Sequence, residues 1–156
     1  MHIELQQAMQ HLVTEQSLNL KEISRFTPVD FRLGIQWLVS QDQPDMAQAL
    51  AEAGLAVYPF SEDILAISGL LAITREDWPL AVELLQDLVS IQNTRVQPMT
   101  YQMLARALTC NLDVAEAHQV LETALQIWPN DATLIQERNA MATAVQDAMP
   151  ASPLTN

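Results

Sequence analysis

The sequence predicts an all-α chain assembled from repeated pairs of helices, and two observations carry that prediction. The first is a recurring punctuation: Ala47, Ala81 and Ala117 stand 34 and 36 residues apart, each after a loop holding an acidic residue and before a long apolar stretch. Pro59 and Pro129 lie twelve residues beyond their alanines, and Asn93 occupies the matching place in the middle copy, so all three stretches end on a helix-stopping residue. The second is composition. Hydrophobic residues make up 49% of 156 residues, glycine only 3, and no polar low-complexity stretch interrupts the pattern before the end. A chain of this size can bury roughly 70% of its unfolded surface in one core.

Taken in order, residues 1–27 form a segment outside the repeats. Ile3, Leu5, Ala8, Met9, Leu12 and Val13 fall near helical spacing, and Leu18 to Phe26 offers a second short apolar turn before Thr27 and Pro28. Two readings stand: a cap over the exposed apolar end of the repeats, or a docking helix through which the chain forms a homodimer. The repeats follow at 28–61, 62–97 and 98–130. The first copy admits two registers. In one, Phe31 takes the aromatic position and Gly34 sits one place early; in the other, Leu33, Gly34 and Trp37 align and the loop SQDQPD holds an extra residue. Asp131 can cap a last helix over 131–149, which Pro150 stops, and the tail 150–156 is short and polar, so it is expected to be disordered.

These residues resemble the tetratricopeptide repeat (TPR), whose pattern runs W-x2-L-G-x2-Y, then A-x3-F, then P. The third copy fits best, with Tyr101, Leu104, Ala105 and Leu108 on the first helix and Ala117, Leu121, Ala124 and Pro129 on the second. In the middle copy Leu65, Gly69 and Ala72 match the first helix, and Asp77 and Trp78 precede Ala81, Leu85 and Leu88. The resemblance implies a solenoid of antiparallel helix pairs with a C-terminal capping helix. Small residues at fixed places let the paired helices approach closely.

The formal net charge is −12, from 19 acidic and 7 basic residues, and the basic ones are scattered. Nucleic acid and anionic membranes need clustered Lys and Arg, so neither is an expected partner. No stretch approaches the length of a membrane span, and the N-terminus lacks a basic n-region, so a cytoplasmic protein is expected. Cys110 cannot form an internal disulfide and is expected to be a buried, unreactive thiol. No catalytic, cofactor or metal site is expected. His118 and Glu122 supply two metal ligands where three or four are needed, no base accompanies Cys110 in a recognisable arrangement, and three glycines cannot build a phosphate loop.

Function is therefore expected in the concave groove that the resemblance implies, lined by first helices and receiving a protein or peptide client. Carried onto this chain, the groove positions are Val29, Arg32, Gln36 and Val39, then Asp63, Ala66, Leu70, Ile73 and Thr74, then Met99, Gln102, Arg106 and Cys110. The second register of the first copy would exchange Arg32 and Gln36 for Phe31 and Ile35. The Lys and Asn with which chaperone-binding TPR domains clamp a terminal carboxylate are missing. Ala66, Leu70, Ile73 and Met99 form an apolar floor with Arg32 and Arg106 as polar anchors near its ends, unless the N-terminal helix covers it. The plan of the chain also resembles the small TPR chaperones of bacterial type III secretion. A scaffold assembling a pilus, division or regulatory complex, and an accessory subunit of an enzyme, are the alternatives.

Overall fold

The computed structural model describes residues 3–15 and 20–148; the expected disordered tail lies outside them, as does part of the apolar turn beginning at Leu18. The described residues form α1 (Ile3–Glu15), α2 (Leu20–Ile23), α3 (Pro28–Ser40), α4 (Pro44–Val57), α5 (Glu62–Thr74), α6 (Trp78–Gln92), α7 (Pro98–Cys110), α8 (Val114–Ile127) and α9 (Ala132–Ala148), with a 3₁₀ turn at Asn93–Arg95. No strand occurs among them, and none of their helices is long and apolar enough to cross a membrane.

Local chemistry explains the helix starts. Thr27 and Asp30 form a reciprocal capping box ahead of α3, the Thr27 hydroxyl accepting from the Asp30 amide and the Asp30 carboxylate from the Thr27 amide. Ser61, Asp77 and Asp131 accept from the amides of Ile64, Leu80 and Leu134. Proline occupies the first turn of α3, α4, α6 and α7, where its missing N–H costs nothing.

In every repeat the second helix begins 16 residues after the first: 28 to 44, 62 to 78 and 98 to 114. This decides the register of the first copy. Phe31, Leu65 and Tyr101 are equivalent, the loop holds no extra residue, and Gly34 does sit one place ahead of Gly69 and Ala105. The reason is the N-terminal segment: a Cβ at Gly34 would lie 2.9 Å from the Met9 sulfur of α1 and 3.0 Å from Leu50 of α4.

The three turns inside the repeats share one geometry. After α3, the Asp42 amide donates to the Val39 carbonyl and the Gln43 amide to that of Leu38; Glu76 and Asp77 repeat the pattern after α5, and Leu112 and Asp113 after α7. This is a Schellman closure, which needs a left-handed residue at its centre. Asp42, Glu76 and Leu112 have φ of 56°, 58° and 68°. Glycine is the usual occupant, and none is present.

The chain divides into two compact units between Thr94 and Arg95. In the first, α3 packs on α4, α5 on α6, and α5 also on α3 and α4, while α1 lies on α3. Leu5, Met9 and Leu12 of α1 share one core with Phe31, Ile35, Leu38, Leu50, Ala51 and Ile64. In the second, α7, α8 and α9 pack on one another, burying Tyr101, Leu104, Leu108, Leu121 and Leu134. Ala47, Ala81 and Ala117 are all fully buried, as the close approach of paired helices requires.

Candidate binding surface

Within the first unit, α3 and α5 lie side by side, and their outward faces carry the groove positions. Val29, Gln36, Val39, Asp63, Leu70 and Thr74 are exposed, and Arg32, Ala66 and Ile73 are half-buried. Phe31 and Ile35, which the rejected register would have turned outward, are completely buried. Leu70 is 47% exposed and Val39 44%, so α1 leaves these apolar side chains open. Between the two helices a hollow of about 180 Å³ is lined by Ile35, Gln36, Val39, Ile67, Leu70, Leu71 and Thr74. Ile67 was missed because it lies between the family's groove positions. Its spacing from Leu70, Leu71 and Thr74 is the i, i+3, i+4, i+7 signature of one helix face, and that signal was available.

The charged side chains on these faces are paired. Arg32 Nε lies 3.2 Å from Asp63 Oδ1, an ion pair without hydrogen-bond alignment, and Arg75 Nη2 lies 2.9 Å from Asp45 Oδ1. In the second unit, Met99 stands 67% exposed on α7. Arg106 Nη2 is 3.1 Å from Glu137 Oε2 of α9, and the half-buried Gln102 donates to the same oxygen at 3.5 Å. Arg32 and Arg106 are thus each paired with a carboxylate of their own unit. The spacing of Asp63 and Glu137 on neighbouring helices, not visible in a linear motif, causes this. Cys110 departs from expectation. It is exposed, because the last residue of α7 falls beyond the buried stripe that ends at Leu108.

The solved structures that resemble this chain in shape include a peptide-bound domain and two forms of one further protein. The first TPR of Spaghetti (RPAP3), bound to the HSP90 peptide SRMEEVD, is 14% identical and superposes with a TM-score of 0.66 over 76% of this chain and 93% of its own. MamA is 14% identical with a TM-score of 0.68, over 90% of this chain and 76% of its own. A MamA D159K mutant is 24% identical with a TM-score of 0.66, over 94% and 83%. The fold is the tetratricopeptide repeat. No family model and no curated protein sequence matches the chain.

In TPR terms the hollow lies between the first helices of repeats one and two. Among the described residues no three His, Cys, Asp or Glu side chains gather where they could hold a metal ion. His118 is exposed on α8, beside a second apolar depression that it lines with Val114, Met141 and Val145.

Proposed function

We propose that this TPR protein is a non-catalytic interaction module that takes a polypeptide client on the outward face of its first helices: Val29, Arg32, Gln36, Ala66, Leu70 and Ile73 in the first unit, with Met99, Gln102 and Arg106 of α7 as further contacts in the second. The observation that carries the reading is the open apolar hollow between α3 and α5, where Val39 and Leu70 remain exposed at a cost that a purely structural repeat could avoid with polar side chains. The RPAP3 domain in its peptide complex supplies the precedent. A cytoplasmic location fits the acidic balance, and the narrower role of a type III secretion chaperone rests on the plan of the chain alone.

The test is affinity capture from native lysate with wild type and Leu70→Asp compared side by side. A buried charge against an apolar client should cost about 2 kcal/mol or more where Leu70 is a hot spot. Capture of the same proteins in the same amounts by both forms would remove the hollow from the binding surface. Capture that survives Leu70→Asp but not Met99→Asp would favour a scaffold working through α7.

A further inference from the structure

We propose that the hollow between α3 and α5 accepts an apolar stretch of polypeptide with Lys or Arg beside it, and that Asp42 and Glu76 select this basic flank. The inference rests on the reading of this face as a polypeptide site and adds the chemistry of what fits it. The hollow lies at the C-terminal halves of both helices: Gln36 and Val39 on α3, Leu70, Leu71 and Thr74 on α5. Both helices run directly into the turns at 41–43 and 75–77. Those turns carry Asp42, Glu76 and Asp77, all exposed, and Asp45 follows in the first turn of α4.

Among the described residues one cation answers these four carboxylates. It is Arg75, already 2.9 Å from Asp45. From residue 28 to residue 77 the chain has two basic residues, Arg32 and Arg75, against eight acidic ones, and both arginines are engaged by carboxylates. An acidic peptide or terminal carboxylate would find no free positive charge on this face among the described residues and would be repelled. A Lys or Arg would meet exposed carboxylates beside the C-termini of two helices, where backbone carbonyls add partial negative charge. The hollow supplies the other half of the recognition, with Gln36 and Thr74 the only polar side chains among the described residues that line it and room for a large apolar one.

The experiment is selection of a random displayed-peptide library on the purified full chain, each binder then being measured on wild type, Leu70→Asp and the double variant Asp42→Asn, Glu76→Gln. Asp45 and Asp77 are left in place because they hold Arg75 and cap α6. Binders that fail on Leu70→Asp should pair large apolar residues with adjacent Lys or Arg, lose roughly three- to tenfold in affinity on the double variant, and weaken with salt. Groove-dependent binders enriched in Asp or Glu, binders without charge bias, or unchanged affinity on a double variant of unchanged melting temperature would overturn the basic flank while leaving the groove standing. No binders at all, or binders indifferent to Leu70→Asp, would instead remove the underlying polypeptide site. A wild type that sediments as a dimer beside a monomeric Leu70→Asp would show a second copy as the occupant, which also overturns the proposal.

Discussion

The phenol of Tyr58 donates to the backbone carbonyl of Phe26 at 3.0 Å, tying the end of α4 to the residue two places before α3. Trp128 does the same in the third repeat, its indole N–H donating to the Val96 carbonyl at 3.4 Å, again two places before the first helix. In the first repeat the tie is backed by rings: Phe31 makes edge contacts with Phe26 and with Tyr58, at centroid distances of 5.8 and 6.1 Å. The middle copy has Gln92 at this position, and α6 runs on to it before a 3₁₀ turn.

Tyr58→Phe isolates the hydrogen bond, because it keeps the ring contact and leaves the Phe26 carbonyl without its donor. The expected loss is about 1 kcal/mol in urea unfolding. Tyr58→Ala removes ring and hydroxyl together and should cost clearly more. Equal losses for the two variants would mean that the ring contributes nothing.

The left-handed centres of the repeat turns give a prediction of opposite sign. Leu112 combines φ of 68° with 86% exposure, so it bears the steric penalty of that region without gaining burial. Asn93, the C-cap of α6, has φ of 51° with ψ of −110°, a region that favours glycine strongly. Leu112→Gly and Asn93→Gly should each raise stability by roughly 0.5–1 kcal/mol, the relief of strain exceeding the added entropy of the unfolded chain. A lower melting temperature for Leu112→Gly would show that its exposed side chain is held by something the turn geometry does not reveal.

Much of this fold was legible because the repeat writes it three times. Ala47, Ala81 and Ala117 gave the phase, and Asp131 caps the last helix where the sequence places its start. The turns were harder to read. Their left-handed centres are Asp, Glu and Leu, so the glycine that normally marks a Schellman closure is absent from all three. The register, once known, fixes which residues take the family's groove positions. It does not fix their electrostatics, because whether Arg32 stands free depends on Asp63, 31 residues away on another helix.

Gly54 shows why one small residue in a repeat cannot be exchanged by propensity alone. An exposed helical glycine changed to alanine gains up to about 1 kcal/mol. Here an added Cβ would stand 3.0 Å from Phe31 Cδ1 and 3.4 Å from Ile64 Cγ2. Phe31 is fully buried and wedged between two other rings, so it has little freedom to yield. Gly54→Ala should therefore be net destabilising, by about 1–3 kcal/mol before the propensity gain is subtracted. A stabilised variant would mean that the Phe31 ring turns aside freely.

Ser68 is 3% exposed on α5, and its hydroxyl has no hydrogen-bond partner among the described residues. Leaving such a group unsatisfied in a core costs about 1–3 kcal/mol. Ser68→Ala removes the hydroxyl and opens little space, so it should be neutral or stabilising by up to about 1 kcal/mol, with helix propensity helping. A loss above that size in chemical denaturation would reveal a polar partner for the hydroxyl.

Leu70 and Ile73 occupy neighbouring groove positions on one helix, yet they should answer differently to the same change. Leu70 is nearly half exposed, so an aspartate there can keep its charge in water, and Leu70→Asp should shift folding stability by less than about 1 kcal/mol. Ile73 is half-buried, in the last turn of α5, and a carboxylate at that position would be partly desolvated as well as losing apolar contact. Ile73→Asp is expected to cost about 2 kcal/mol or more. Loss of binding in the Leu70 variant can thus be read as a direct effect on the surface, whereas loss in the Ile73 variant cannot be separated from weakened folding. Thermal melts of both settle the comparison. A Leu70→Asp protein that melts as far below wild type as Ile73→Asp would mean that Leu70 belongs to the core and that the exposed hollow is not available to a client.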